Sequence, residues 1–225
     1  MAPRRTPRGP TPLGDDPIAR IVTRGMSNSE FFERHAAAGR VGLVGGPDLV
    51  QRAIQEAQRK RTEHGSRSLY GHAFLCQGRR VDGKHWVLES DIDVRRARAQ
   101  IGVQENRISK YTNDAAYPHV ALLDFGLTDT DTVKMLSVGL DLVDRRAGSS
   151  LREVLSAQLG LKQPRPHGSS TRLGRGARAM VCAALVAHLF HAVGVELVRG
   201  MDAKLATPED LASTHVRHTV YELLR

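Results

Sequence analysis

The sequence predicts an α+β fold in which a small antiparallel sheet packs against helices. Residues 70–76 and 85–90 are short runs of apolar and β-favouring side chains bounded by glycines and charges, which indicates paired strands. Residues 47–63 and 177–193 instead repeat apolar side chains at helical spacing. Because a helix comes first, then several strands and then further helices, the order of elements is typical of an α+β domain.

The composition predicts one domain with a basic tail. A chain of 225 residues with 40% hydrophobic content is long enough to bury a core. Residues 1–16 are rich in proline, arginine and glycine, so we expect a disordered tail there and a single domain over residues 17–225. No apolar run approaches the roughly 20 residues of a membrane helix, and no secretory signal follows the N-terminal charges. These features predict a cytoplasmic protein.

The charge of +9 and the pI near 10.1 raise the possibility of nucleic-acid binding. The charge is not spread evenly: three arginines lie in the tail, and residues 162–178 contain five basic residues and no acidic residue. Aromatic residues make up only 4% of the chain, which leaves little surface for base stacking, and no zinc-finger or RNP pattern is present. Nucleic acid is therefore a disfavoured partner, although a non-catalytic basic module that binds nucleic acid or another anion stays as the alternative to an enzyme.

The first half of the chain predicts two helices, a short strand and the hairpin. Residues 28–38 suit a helix that Ser27 or Ser29 can cap, and glutamates occupy its first turn. A turn and a brief apolar strand follow over residues 39–46. A proline suits the first turn of the helix over 47–63, which ends in a run of basic residues, as helix C-termini favour.

The middle of the chain predicts two more strands, over residues 103–108 and 119–125, and a helix over 128–143. The second of these strands is almost entirely apolar, which indicates burial on both faces. Thr128 can cap the helix, with an acid in its first turn. The predicted buried face of this helix consists of Val133, Leu136, Leu140 and Val143.

The last part of the chain predicts a short helix over residues 151–159 and a mobile loop over 162–178, rich in glycine, serine, proline and arginine. The strong helix over 177–193 ends at a glycine, as many helices do. A possible strand over 195–198 and a threonine-capped helical start over 207–211 complete the predicted elements.

Three side chains on these elements could form a nucleophilic site. His72 enters the first strand of the hairpin and Glu89 leaves the second, so pairing can place an imidazole beside a carboxylate. Cys182 lies in the first turns of the helix over 177–193. A helix N-terminus, an imidazolium and the arginines upstream would stabilise its thiolate, which is the nucleophilic form. Backbone N–H groups of that first turn, including that of Cys182, could stabilise an oxyanion.

Each of these residues also has a plain structural interpretation. A cysteine on an apolar helix is commonly buried filler, and Cys76 on the first strand is most simply a core residue. The two cysteines form neither a disulfide scaffold nor a CxxC pair, so structural zinc is not expected. The sequence predicts no metal and no cofactor. His64 and His85 could substitute as the base, but His72 has the better strand context. His188 and His191 could bind a metal ion only with further ligands, and the sequence has no HExxH pattern.

The joint arrangement supports a family resemblance. A strand opens with a histidine in Leu69-Tyr-Gly-His-Ala-Phe-Leu, and the next strand carries an acid in Trp86-Val-Leu-Glu. A cysteine then starts a helix in Met180-Val-Cys-Ala-Ala, and a closing segment covers residues 206–213. This order resembles the circularly permuted papain-like cysteine hydrolases, the YiiX-like branch related to NlpC-type peptidases and lecithin retinol acyltransferase. The resemblance spans roughly residues 45–215.

The resemblance implies a permuted papain-like fold with the nucleophile at a helix N-terminus. Cys182 would be the nucleophile, His72 the general base and later acid, and Glu89 the residue that orients the imidazole. The family often has a serine and an acidic residue directly after the nucleophile, where this chain has Ala183 and Ala184.

The predicted activity is that of a thiol hydrolase of the amidase or peptidase type, which cleaves an amide or ester through an acyl-enzyme. The expected substrate is a peptide, an amide or a lipid ester. Acyl transfer to another acceptor would use the same three residues, so an acyltransferase is a close alternative. The basic loop before the nucleophile could recruit an anionic substrate, such as a carboxylated peptide or lipid head group, through Arg172, Arg175 and Arg178.

Overall fold

A computed structural model describes residues 18–62, 64–93, 100–145 and 175–225 of the chain. Seven strands form one sheet: β1 Ile18–Arg24, β2 Val41–Gly45, β3 His72–Arg79, β4 His85–Asp93, β5 Gln100–Arg107, β6 His119–Asp124 and β7 His218–Leu224. The described part contains five α-helices: α1 Asn28–His35, α2 Leu49–Ala57, α3 Asp129–Arg145, α4 Arg175–His191 and α5 Pro208–Ala212. Single 3₁₀ turns lie at Arg59–Arg61, Ile108–Tyr111 and Ala203–Leu205.

The strands follow the order β1-β7-β6-β2-β3-β4-β5 across the sheet. All neighbouring strands are antiparallel except β1 and β7, which pair in parallel. The mixed helix and strand content predicted from the sequence is confirmed. The sheet differs from the small antiparallel sheet that was predicted, because it has seven strands and one parallel pair. The sheet is larger because β1 and β7, which were not predicted, extend it beyond β6. β1 was not predicted because its sequence, Ile-Ala-Arg-Ile-Val-Thr-Arg, does not alternate regularly between apolar and polar side chains.

The sheet separates two hydrophobic clusters. On one face, the α4-side cluster contains Ala73, Leu75 and Leu88 from the hairpin, together with buried residues of α3, α4 and α5. On the other face, the α1-side cluster contains aromatic residues of α1 and of the 3₁₀ turn Ile108–Tyr111, packed against the alternate strand positions. Successive side chains of a strand point to opposite faces of the sheet. Alternate residues of β3 and β4 therefore join different clusters.

The hairpin of β3 and β4 contains a β-bulge. Gly78 pairs with Trp86, whereas Cys76 pairs with Val87, so β3 has one extra residue at this point. Gly78 has a φ of +87°, which is the left-handed conformation that glycine adopts at low cost.

The bulge decides which face carries Glu89. Beyond it, Glu89 lies opposite Phe74, on the same face as His72. If the register at the turn end of the hairpin continued without the extra residue, Glu89 would lie opposite Leu75, on the α4 side of the sheet. The single inserted residue therefore brings the carboxylate to the face of the imidazole.

Several predicted helix starts are confirmed by their caps. Ser27 accepts a hydrogen bond from the backbone of Glu30 and forms a reciprocal capping box at the start of α1. Thr207 and Asp210 form the same motif at the start of α5. The backbone N–H of Asp131 donates to Thr128 at the start of α3. The helix predicted over residues 47–63 is shorter, because α2 ends at residue 57 and a 3₁₀ turn follows.

The predicted buried face of α3 is wrong in part. Val133 is 63% exposed and Leu140 is 40% exposed, whereas Met135 and Leu142 are fully buried. Gly139 also faces the sheet, and a Cβ built there would lie 2.5 Å from Leu88 Cδ1. The sequence prediction considered only large apolar residues as the buried face of this helix. Gly139 lacks a side chain, so α3 can approach β4 closely on the face that carries this glycine.

Residues 195–198 are not a strand, contrary to the sequence prediction. The segment instead turns directly after α4, where the N–H of Val195 donates to the carbonyl of Phe190 and the carbonyl of Leu197 accepts from Thr214. The predicted tail over residues 1–16, the helix over 151–159 and residues 162–174 of the predicted loop lie outside the described residues. Within the described ranges, no helix is both long and apolar enough to cross a bilayer.

We expect Gly78→Ala to destabilise the protein more than Gly83→Ala. Both glycines have positive φ values, +87° and +71°, so an alanine at either position costs about 1 kcal/mol of backbone strain. A Cβ at position 78 would also lie 3.3 Å from Ala38, whereas one at position 83 meets nothing within 4 Å. Urea unfolding should show a loss of about 2 kcal/mol for the first variant and about 1 kcal/mol for the second. Equal losses would contradict the inference that Gly78 packs closely against Ala38.

Candidate functional site

The His72 imidazole and the Glu89 carboxylate form a buried pair. His72 is the first residue of β3, and its Nε2 lies 2.8 Å from Oε2 of Glu89 on the neighbouring strand. Glu89 is completely buried and His72 is 8% exposed. The juxtaposition predicted from the two strands is therefore present in the structure.

Glu89 accepts hydrogen bonds on both carboxylate oxygens. Oε1 accepts from Asn106 Nδ2 and from Lys110 Nζ, each at 2.6 Å. Oε2 accepts from the Tyr111 hydroxyl in addition to its contact with His72. A carboxylate without solvent contact is tolerable only when its charge is balanced and its lone pairs are satisfied, and these four groups meet that requirement.

Aromatic packing fixes the position of Tyr111. Its ring stacks on Phe74, with centroids 4.8 Å apart and an interplanar angle of 8°, and it meets Tyr117 edge to face at 5.1 Å. The Asn28 side chain on α1 donates to the backbone carbonyls of Tyr111 and Tyr117, at 3.1 and 2.9 Å. The 3₁₀ turn that carries Lys110 and Tyr111 is thereby anchored to α1.

Cys182 completes the cluster from the opposite side of the imidazole. It lies on α4, which packs against β3 and β4, and its side chain is hydrogen-bonded to His72. Because Nε2 of His72 contacts Glu89, Nδ1 is the ring nitrogen that can face the thiol. His72 is the first residue of β3 and shares the pleat face of Phe74, yet its side chain is hydrogen-bonded to a residue of α4.

The charges in this cluster stabilise one another. Burial alone lowers the pKa of His72, but the charge and hydrogen bond of Cys182, together with Glu89, outweigh burial and raise the pKa to about 10. Burial alone raises the pKa of Glu89, but the hydrogen bonds and charges of His72 and Lys110 outweigh it and lower the pKa to about 2. These shifts favour an imidazolium at His72 beside an ionised Glu89, with the Cys182 side chain as its other hydrogen-bond partner.

The sequence predicted that Cys182 lies at the N-terminus of its helix, and this position is not confirmed. α4 begins at Arg175, so Cys182 comes seven residues later, near the end of the second turn. The residues before position 182 include good helix formers such as alanine and arginine, which extend the helix toward the N-terminus. The N–H of Cys182 is then engaged within the helix, and the stabilisation that a helix dipole gives to an anion has largely decayed at this depth.

The second cysteine provides a contrast with Cys182. Both thiols are only 1% exposed, but Cys76 lies in the α1-side cluster among apolar and aromatic residues. Burial raises the pKa of Cys76 to about 12, although the charge of Arg40 lowers it slightly. Cys76 is therefore a core residue, in line with its sequence interpretation.

Two other histidines named from the sequence, His85 and His191, have acidic partners outside this cluster. His85 pairs with Arg79 at the far end of the hairpin, and its Nε2 lies 3.7 Å from Glu33 on α1. His191 lies 3.9 Å from Glu196, beyond the end of α4. The described residues contain no group of three or more histidine, cysteine or acidic side chains that could hold a metal ion.

Of the three arginines predicted to bind substrate, two belong to a described helix and one does not. Arg172 is not among the described residues. Arg175 and Arg178 belong to the first turn of α4 rather than to a loop, which corrects the predicted end of the loop at residue 178. Their role in substrate binding stays a prediction.

Sequence reasoning missed three partners of Glu89: Asn106, Lys110 and Tyr111. Asn106 lies on β5 opposite Val87, two residues from Glu89 along β4, so the register of β5 would have placed it nearby. The sequence alone does not give that register, because residues 100–107 alternate only weakly. Lys110 and Tyr111 follow a strand in the sequence, but no sequence pattern indicates that they contact Glu89.

No protein-family model matches the chain, and no curated protein matches it.

We expect Glu89→Gln to destabilise the protein in a pH-dependent way. The folded-state pKa of Glu89 lies below its ordinary value of 4.5, so its stabilisation is complete above that value and is lost as the pH falls toward about 2. At pH 7 the variant should lose about 3–5 kcal/mol, because the buried His72 imidazolium loses its carboxylate partner. Urea unfolding at pH 7 and pH 3 should show a smaller deficit at pH 3.

The matched control is Glu56→Gln, which removes an acid that is about half exposed and paired with Arg59. Its effect should stay below about 1 kcal/mol at both pH values. A deficit of Glu89→Gln that is the same at pH 7 and pH 3 would contradict the ionised, donor-saturated state of Glu89.

Proposed function

We propose that the protein is a thiol hydrolase that cleaves an amide or ester through an acyl-enzyme on Cys182. One observation carries this proposal: a single buried imidazole, that of His72, is shared between a thiol and an ionised carboxylate. A nucleophile, a base within hydrogen-bonding reach and a third group behind the base are the parts that nucleophilic catalysis requires.

In the first half of the reaction, His72 holds the proton of Cys182 and the sulfur attacks the carbonyl carbon of the substrate. The carbon–nitrogen or carbon–oxygen bond then breaks, and the His72 imidazolium gives its proton to the leaving amine or alcohol. In the second half, neutral His72 takes a proton from water, the hydroxide adds to the thioester, and the carbon–sulfur bond breaks. The acid leaves, and the proton returns to the Cys182–His72 pair.

Glu89 acts by orienting the imidazole. Its contact with Nε2 fixes the ring so that Nδ1 faces the sulfur, and its charge favours the imidazolium that forms when the thiol loses its proton. The carboxylate can perform this role only if it does not rotate, and donors on both of its oxygens hold it in place. Glu89 is therefore the orienting member of the proposed triad.

The order of the three residues along the chain supports a likeness to the permuted papain-like hydrolases. A histidine on one strand, an acid on the next strand and a cysteine on a later helix follow that family's order. Ala183 and Ala184 depart from its pattern after the nucleophile, and both are buried in the α4-side cluster. Acyl transfer to an acceptor other than water needs the same residues, so an acyltransferase is the close alternative. We expect a peptide, an amide or a lipid ester as the acyl donor.

The test uses p-nitrophenyl acetate as an activated acyl donor and follows nitrophenol release together with intact mass. The wild-type protein should release nitrophenol and carry a transient acetyl group on Cys182. Cys182→Ala should abolish acetylation at that site, and His72→Ala should slow turnover by about 10²–10⁴-fold, the range of general acid–base catalysis. Glu89→Gln should act in the same direction through the orientation of His72.

Cys76→Ala is the matched control, because it removes an equally buried thiol that lies among apolar and aromatic residues of the α1-side cluster. This variant should retain the turnover of the wild type. Equal acetylation of the two cysteines, or turnover that survives Cys182→Ala, would contradict the proposal. If the protein instead bound nucleic acid with steep salt dependence and showed no Cys182-dependent turnover, the basic binding module would be the better interpretation.

A further inference from the structure

Lys110 makes an unusual contact for a residue outside the proposed triad. Its ammonium lies 2.6 Å from Oε1 of Glu89, and it also sits 5.3 Å from the centre of the Tyr111 ring. Glu89 is fully buried, whereas the Lys110 side chain is 32% exposed, so the lysine brings its charge to the carboxylate from the solvent side. Glu89 therefore has two cationic neighbours, His72 on one oxygen and Lys110 on the other.

The second cation matters because His72 must change its charge during the proposed reaction. In the resting site, a proton lies either on the thiol or on the imidazole. With Lys110 present, the four groups Cys182, His72, Glu89 and Lys110 sum to zero charge in both arrangements. Without it, each arrangement leaves one uncompensated negative charge in a buried site, which is costly.

The demand is greatest in the acyl-enzyme. There the sulfur carries the acyl group and His72 must be neutral to accept a proton from water. Glu89 then has no imidazolium beside it, and Lys110 is the remaining cation in contact with its carboxylate among the described residues. A carboxylate that lost this counter-ion would bind protons more tightly, and so would the imidazole next to it.

We propose that Lys110 is a positioning residue that serves as the fixed counter-ion of Glu89 and keeps His72 free to act as a base in the acyl-enzyme. This inference rests on the proposed function. Among the described residues, the titratable groups that face Glu89 are His72 from β3 and Lys110 and Tyr111 from the 3₁₀ turn, with Cys182 of α4 beyond the imidazole. Asn106 of β5 contributes a neutral donor.

The test compares the pH dependence of deacylation in the wild type, Lys110→Met and Lys110→Arg. Each protein is acetylated with p-nitrophenyl acetate, and loss of the acetyl group from Cys182 is followed by mass spectrometry between pH 5 and 9. Removal of a cation raises the affinity of nearby groups for protons, so the midpoint of the acid limb should move up by about one pH unit in Lys110→Met. Lys110→Arg keeps the charge and should restore the wild-type midpoint.

Lys84→Met is the matched control, because it removes the same charge from the exposed turn of the hairpin, where solvent screens its effect on the site. Its midpoint should equal that of the wild type. If Lys110→Met lowered the rate equally at all pH values without moving the midpoint, or if Lys110→Arg failed to restore it, the counter-ion role would be overturned. If the wild type formed no acetyl group on Cys182, the proposed function itself would fail, and the two failures are thereby distinguishable.

Discussion

The buried hydrogen bond between His72 and Glu89 is the interaction on which the site depends. A carboxylate with no solvent contact costs several kcal/mol unless donors compensate its charge, and here four groups do so. These donors come from β3, β5 and the 3₁₀ turn after β5, so burial of one charge ties three separate segments together. The same donors hold the imidazole in one orientation, with its second nitrogen available to Cys182.

The geometry of this pair follows from an irregularity in the hairpin. The bulge at Gly78 shifts the register by one residue, and that shift exchanges the faces of β4. Glu89 thereby joins the face of His72, while Leu88 joins the α4-side cluster and packs where Gly139 leaves room. The one extra residue thus serves both the polar site and the hydrophobic core, because it directs Glu89 and Leu88 to the faces where each is needed.

Much of the local structure could be predicted from the sequence. The hairpin strands, the caps Ser27, Thr128 and Thr207, and the helix that carries Cys182 each have a local signal, because capping and periodicity act within a few residues. The pairing of β1 with β7 depends on contacts between residues about 200 positions apart, which no local pattern encodes. The start of α4 two residues earlier than expected moved Cys182 away from the helix end, a boundary error with consequences for its electrostatics.

The site divides in the same way. His72, Glu89 and Cys182 could be proposed because each residue type suits a role and each stood on a predictable element. Asn106, Lys110 and Tyr111 could not, because their contribution arises from the register of β5 and the turn after it. The sequence therefore indicates which groups could react, and tertiary packing determines how their charges are balanced.

The most direct test of this account is an NMR titration of the His72 ring nitrogens in the wild type and in Cys182→Ala. We expect the imidazolium to persist in the wild type through neutral pH, because Cys182 and Glu89 raise the pKa of His72 to about 10. Removal of the sulfur should lower that pKa by at least about one unit, since the hydrogen bond and the charge interaction with Cys182 both raise it. A His72 that titrates near 6.5 in both proteins would contradict the shared imidazole on which the proposed chemistry rests.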